Sequence, residues 1–130
     1  MVSMPSLTLG IEEEYQIIDP ETRGLTSYVQ KFLDHGREVL QDQIKPEFMQ
    51  SQVEVGSHIC RNIKEARQEI VRLRRSVCEL AEENGLQMAA ASTHPFAAWA
   101  TQKITAGERY TKLEVDMAED GRQTGERPGD

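Results

Sequence analysis

The sequence predicts an α+β fold in which strands and helices alternate along the chain. Apolar periodicity gives the order strand, helix, strand, helix, strand, helix. The first two strands are polar on one side and apolar on the other. That pattern favours a sheet with one face packed against helices and the other open to solvent or ligand, rather than a parallel sheet covered on both faces. Periodicity alone leaves the direction of strand pairing open.

One domain is expected from 130 residues. Lys and Arg number 15 and Asp and Glu number 22, so the net charge is −7. Such an acidic chain is a poor general binder of nucleic acid or of an anionic membrane, which need a basic face. The apolar stretches fall short of the roughly 20 residues of a membrane helix, and the N-terminus does not read as a signal peptide. We therefore expect a cytoplasmic protein.

The first strand is predicted over Leu7–Ile18 by strict alternation. Its odd positions are apolar apart from Glu13, whereas its even positions place Glu12 and Glu14 side by side on the other face. A turn follows at residues 19–24, where Pro and Gly interrupt the pattern.

A helix and a second strand are predicted next. The helix covers Ser27–Gln41, with Gly36 as a weak point of about 1 kcal/mol relative to Ala. The strand covers Phe48–Val55, and its polar face carries Glu54. If the two strands share a sheet, Glu12, Glu14 and Glu54 can meet on one face.

The clearest helix is predicted over Ile63–Glu83, where apolar residues recur at three- and four-residue steps. Asn62 can cap its N-terminus, and Glu65 occupies the acidic position of a capping box. Gly85 provides the stop, because glycine readily adopts the left-handed conformation at a helix end.

The last elements are a strand, a helix and a tail. The strand, Leu86–Ser92, is small and apolar throughout, which predicts a central strand covered on both faces. A helix is expected over Gly107–Glu119. Residues 120–130 hold Gly, Pro and polar residues and are predicted to be disordered.

The run Glu12-Glu13-Glu14 is the most informative feature of the chain. Neighbouring carboxylates on one strand face repel each other, and a divalent cation between them would make the arrangement favourable. Mg²⁺ bound with substrate phosphates suits such a strand. The alternative is a solvated polar face at a sheet edge, and the same alternative applies to Glu54.

Other reactive or charged side chains are expected to be structural. Cys60 and Cys78 lie outside any Cys-x-x-Cys pair, so both are predicted to be reduced structural thiols. The basic residues Arg72, Arg74 and Arg75 lie largely off the apolar stripe of their helix and are predicted to be solvated.

Four blocks of sequence, in order, resemble the type 2 glutamate–cysteine ligase, or carboxylate–amine ligase, family. They are Thr8-Leu9-Gly10-Ile11-Glu12-Glu13-Glu14-Tyr15 with Ile18-Asp19-Pro20-Glu21-Thr22, Lys45-Pro46-Glu47-Phe48-Met49-Gln50-Ser51-Gln52-Val53-Glu54, Ala89-Ala90-Ala91-Ser92-Thr93-His94-Pro95-Phe96-Ala97, and Glu108-Arg109-Tyr110. Any one block would be weak evidence, whereas four in order are specific.

The resemblance implies part of a glutamine-synthetase-like fold, with a mostly antiparallel sheet and helices packed on one of its faces. It implies ATP and Mg²⁺ as cofactors and an acyl-phosphate intermediate. The implied substrates are glutamate or a similar carboxylate and cysteine or another amine. No nucleic acid or membrane partner is implied.

The resemblance also assigns metal ligands. The Glu-x-Glu of the family's first strand corresponds to Glu12 and Glu14, and a further ligand corresponds to Glu54. Glu47 stands where related ligases place another acidic residue, although its strand parity differs from that of Glu54.

Family members are longer, so residues 1–119 resemble the N-terminal part of the catalytic domain. The alternative function is a truncated, catalytically inactive fragment that self-associates through open sheet edges, without turnover. A homo-oligomer is therefore one expected state.

Overall fold

The computed structural model describes residues 6–27 and 30–124, with the backbone alone at 99 and 119–124. Within this part of the chain the architecture is α+β, as predicted, with a four-stranded antiparallel sheet and three α-helices. In chain order the elements are β1 (Glu12–Ile18), α1 (Gln30–Leu40), β2 (Ile44–Pro46), β3 (Gln52–Gly56), α2 (Ile63–Glu83), β4 (Gln87–Ala89) and α3 (Glu108–Thr124).

The strands lie in the order β2-β3-β1-β4, and every neighbouring pair is antiparallel. Helices α1 and α2 contact each other and pack on one face of the sheet. Their core combines strand residues of alternating position with the apolar stripes of both helices. Its buried members include Ile17, Val53, Phe32, Leu73 and Val77. This arrangement confirms the prediction of a sheet covered by helices on one side.

Strand β1 begins later than predicted. Leu7 is 81% exposed, and Leu9 forms only an isolated backbone bridge with Cys60. Strand β3, the partner of β1 at this end, stops at Gly56, so the ladder does not extend back to residue 7. The alternating pattern therefore includes residues before Glu12, but β3 offers no strand residues there with which they could pair.

The predicted strand Phe48–Val55 is wrong in its first half. Residues 48–51 form a turn, and the chain before that turn pairs as β2, which sequence periodicity did not detect. Three residues are too few to establish a period of two.

Helix α1 begins three residues into its predicted range in the structure, after residues 28 and 29, which lie outside the described part. Its Gly36 is buried, and a Cβ there would come within 2.8 Å of Ile44 Cδ1. Glycine at this position therefore leaves room for the Ile44 side chain of β2, at the expense of helix propensity.

Helix α2 has its predicted bounds. The Asn62 side chain accepts a hydrogen bond from the Glu65 backbone N–H at 3.0 Å, which confirms the predicted N-cap. The Glu65 carboxylate accepts in turn from the Arg61 N–H at 2.8 Å. At the other end Gly85 has φ +68°, as expected of a left-handed helix stop.

The prediction that the third strand is central was wrong. Strand β4 pairs with β1 alone among the described residues and stands at the edge of the sheet. The alanines that suggested burial extend beyond the strand, and Ala90 and Ala91 are exposed. Small apolar residues carry little burial energy, so their run was a weak indicator of a central strand.

Helix α3 continues through Thr124, past the predicted end at Glu119, so residues 120–124 are helical and not part of a disordered tail. The prediction for residues 125–130 lies outside the described residues. Tyr110 of α3 donates its hydroxyl to the Pro46 carbonyl at 3.0 Å, which links this helix to the end of β2. No helix in the described ranges combines the length and apolar character needed to cross a bilayer.

Candidate metal centre

The open face of the sheet carries a pair of carboxylates directly opposite each other. Glu14 of β1 is the register partner of Glu54 of β3. Partners in an antiparallel ladder point to the same face, with their Cβ atoms about 4.5–5.5 Å apart. The predicted meeting of the first and second strands on one polar face is therefore found at these two residues.

Glu47 joins this pair through the hairpin of β2 and β3. Lys45 is the register partner of Glu54, and Glu47 follows Lys45 by two positions along the chain. The turn at residues 48–51 breaks the single strand assumed from the sequence, so the parity mismatch between Glu47 and Glu54 does not apply. One carboxylate oxygen from each of Glu14, Glu47 and Glu54 lies within 4.8 Å of the other two.

The carboxylates of this acidic triad, Glu14, Glu47 and Glu54, outnumber the positive charges near them. Burial raises the pKa of Glu54, and the negative charges of Glu12 and Glu47 raise it further. The Lys45 ammonium stands 3.7 Å from Glu54 and opposes these effects, although it is largely exposed. The net direction of the pKa remains upward, because burial and the neighbouring negative charges together outweigh the attraction of Lys45.

The predicted ligand Glu12 lies on the same face but outside the triad. It lines an open cavity of about 480 Å³ at this end of the sheet. Lys45, Gly56 and His58 also line the cavity. Lys45 therefore borders both the cavity and the triad.

The opposite face of β1 holds the middle glutamate of the run. Glu13 accepts hydrogen bonds from Arg74 Nε and Nη2 of helix α2, with an Nε–Oε2 distance of 3.0 Å. The Tyr15 hydroxyl donates to Glu13 Oε2 at 2.6 Å. The Arg74 side chain is the largest influence on Glu13 and holds the pKa of that carboxyl below its usual range. Burial and Glu13 together raise the pKa of Tyr15 to about 12.

The sequence interpretation missed this ion pair and a second one on the same helix. Arg72, predicted to be solvated like Arg74, bonds Glu69 and the Gln43 side chain, with an Arg72 Nη2–Glu69 Oε2 distance of 3.0 Å. These bonds, Arg72 above all, lower the pKa of Glu69 to about 2. A signal for the Glu13 pair was present, because a charged residue on an otherwise apolar strand face requires a partner.

The two cysteines form no disulfide, as predicted. Cys60 is buried and Cys78 is exposed. A structural role as a buried apolar thiol therefore fits Cys60, whereas Cys78 lies at the surface.

Comparisons with known proteins agree with the resemblance noted in the sequence. The family model "Glutamate-cysteine ligase family 2 (GCS2)" matches residues 8–126. A protein of Herpetosiphon aurantiacus named "Putative glutamate--cysteine ligase 2" is 54% identical over 116 residues, which cover 89% of this chain and 30% of the relative. Proteins with the same name from Roseiflexus sp. and Chloroflexus aurantiacus are 54% identical over 110 residues and 55% identical over 112 residues.

In the Roseiflexus and Chloroflexus matches the aligned segment covers 85% and 86% of this chain, and 29% of each relative. The chain thus spans about 30% of the length of the curated relatives it matches. The match covers all of the elements from β1 to the last described residue of α3. The chain therefore belongs to glutamate–cysteine ligase family 2.

Proposed function

We propose that this chain provides the metal-binding carboxylates of an ATP-dependent carboxylate–amine ligase of the glutamate–cysteine ligase type. The observation that carries the proposal is the convergence of Glu14, Glu47 and Glu54 on the open face of the sheet. Family membership supports a ligase, and the relatives carry the name "Putative glutamate--cysteine ligase 2". The ligands proposed from the sequence, Glu12, Glu14, Glu47 and Glu54, all border this face or its cavity.

The chemistry of the triad fits Mg²⁺. Magnesium prefers oxygen ligands and is bound through a few carboxylates together with water and substrate phosphates. Burial first, and then the negative charges of Glu12 and Glu47, raise the pKa of Glu54, and a divalent cation bound there would offset that negative charge. Bound there, Mg²⁺ would offset charge on the transferring phosphoryl group.

The cavity beside Glu12 is suited to the phosphate groups of ATP. Lys45 borders it and carries the compact positive charge that attracts phosphate oxygens. An anion held there would lie next to the triad and take Lys45 away from Glu54. We propose that the ATP phosphates enter this cavity.

The reaction proposed is amide formation through an acyl phosphate. A carboxylate oxygen of glutamate attacks the γ-phosphorus of ATP, and the bond to the bridging oxygen breaks to release ADP. The amine of cysteine, or of another acceptor, then attacks the acyl carbon. Phosphate leaves with the electron pair of the C–O bond, and the amine loses one proton.

Two further properties belong to this proposal. The antiparallel sheet with helices on one face is proposed to be part of a glutamine-synthetase-like fold. Cysteines without a disulfide are typical of a reducing compartment, which supports the cytoplasm as the site of reaction.

The test is release of ADP by the purified 130-residue chain with Mg-ATP and glutamate, with and without cysteine. We expect release that cysteine stimulates and that Glu54→Gln or Glu12→Gln abolishes. The matched control is Glu79→Gln, which removes one carboxylate from the exposed side of α2 and should leave release unchanged. Equal loss in the control would contradict a specific role for the open face.

The alternative function is a catalytically inactive fragment that self-associates. The observation that favours it is that β2 and β4 stand at the two edges of the described sheet. It predicts no ADP release and a molecular mass that rises with protein concentration in light scattering. Mg²⁺ binding that is lost in Glu54→Gln without turnover would keep the metal site and favour this alternative.

A further inference from the structure

The part of β1 that carries Glu12 and Glu14 is held by the sheet on one side only. Strand β3 pairs with residues 12–16 of β1. On the other side β4 pairs with Gln16–Ile18, so residues 12–15 have no strand neighbour there within the described ranges. Backbone pairing alone therefore leaves one edge of this segment unsupported, although metal ligands need precise positions.

A side chain from helix α2 supports the segment from the face opposite the carboxylates. Arg74 bonds both carboxylate oxygens of Glu13, and the Tyr15 hydroxyl bonds Glu13 Oε2 as well. The Glu13 side chain is 20% exposed and sits at the boundary of the core. Arginine with two donors on one carboxylate fixes orientation as well as distance.

Successive side chains of a strand point to opposite faces, so the direction of Glu13 determines the directions of its two neighbours. We infer that Glu13 and Arg74 are positioning residues that hold Glu12 and Glu14 towards the metal centre. The inference rests on the proposed function, because it concerns the same carboxylates. It gives a role to Glu13, the middle residue of the Glu run, whose side chain faces away from the proposed metal.

The direction of the change in Mg²⁺ affinity distinguishes a positioning role of Arg74 from a purely electrostatic one. Arg74 is a cation, so its removal should strengthen Mg²⁺ binding if only charge matters. If Arg74 positions the ligands, its removal should weaken Mg²⁺ binding. Loss of residues that orient metal ligands typically costs about 10–100-fold in affinity.

The experiment measures Mg²⁺ affinity of the full 130-residue chain by isothermal titration calorimetry. We expect Arg74→Gln to weaken binding by about tenfold or more. The matched control is Arg75→Gln, which removes the same charge from the adjacent, exposed position of α2 and should leave affinity level or slightly raised. Hydrogen exchange at residues 12–15 should accelerate in Arg74→Gln and not in Arg75→Gln.

A charge-swapped variant distinguishes loss of the ion pair from a general loss of folding. Glu13→Arg combined with Arg74→Glu keeps the net charge and can re-form the pair, so it should recover most of the Mg²⁺ affinity lost in Arg74→Gln. Unchanged or tighter binding by Arg74→Gln would overturn the inference while leaving the metal centre intact. Absence of Mg²⁺ binding by the unsubstituted chain would instead overturn the metal centre and this inference together.

Discussion

The two faces of the sheet use glutamate in opposite ways. On the helix-covered face Glu13 is paired with Arg74, and its pKa is lowered. On the open face Glu54 lies opposite Glu14 with further carboxylates nearby, and its pKa is raised. Three adjacent glutamates in the sequence thus lie in two environments that differ in charge balance.

This difference distinguishes a carboxylate that is already paired within the fold from carboxylates that can still bind a cation. A carboxylate with its own arginine is already neutralised and serves to hold strand and helix together. A group of carboxylates with one exposed lysine retains an excess of negative charge, and that excess is a cost to the folded protein unless a cation is bound. Glu13 therefore belongs to the contacts between strand and helix, whereas the acidic triad is the group of carboxylates proposed to bind the metal.

A substitution in the packed core of the covered face should cause the greatest loss of stability. Ile17 is fully buried in β1, and Ile17→Ala should lower the free energy of unfolding by about 2–5 kcal/mol, because it removes apolar contacts and leaves a cavity. Glu14→Gln, on the open face of the same strand, should leave that free energy level or raise it. Urea unfolding of both variants measures these free energies. A comparable loss in Glu14→Gln would show that the two faces do not differ as described.

An intermediate effect concerns repulsion on the open face. Without metal, Glu54→Gln should raise the free energy of unfolding at pH 7 by about 0.2–1 kcal/mol, because like charges directly opposite each other in a ladder are destabilising. The pKa of Glu54 is higher in the folded chain than its ordinary 4.5. The folded state therefore takes up the proton first, and the unsubstituted chain should gain stability as the pH falls through the raised pKa towards 4.5.

Thermal unfolding as a function of pH, with and without Mg²⁺, checks this behaviour. Glu54→Gln should lack the gain on mild acidification and should also lack stabilisation by Mg²⁺, which follows from preferential binding to the folded state. Glu79→Gln is the control and should keep both responses. Mg²⁺ stabilising Glu54→Gln as much as the unsubstituted chain would contradict the assignment.

The ion pair on the covered face should contribute least to stability. The pKa of Glu13 is lowered on folding, so its contribution to stability is present above the ordinary value of 4.5 and is lost as the pH falls through the lowered pKa. The stability difference between the unsubstituted chain and Glu13→Gln should therefore shrink on acidification, which is the opposite sign to Glu54. Arg74 is half-exposed and screened by water, so the effect should be small. A difference that widened with acid would contradict the pairing.

Local patterns were enough for the elements with long, regular periodicity. Both bounds of α2 follow from its apolar stripe, the Asn62 cap and Gly85, which act within a few residues of each other. The two polar strand faces, and the presence of Glu14 and Glu54 on them, also follow from alternation. Strand β2 did not follow, because its three residues owe their conformation to pairing with β3 rather than to their own pattern.

Residue type and local period were sufficient to predict an α+β fold, the family and the carboxylates that face away from the core. Three features became visible in the folded structure alone: the turn at residues 48–51 brings Glu47 to Glu54, Arg74 reaches Glu13, and β4 stands at an edge of the described sheet. Those facts depend on strand register and on the approach of residues far apart in the chain. Register is set by the packing of the whole sheet on its helices, which no short segment of sequence contains.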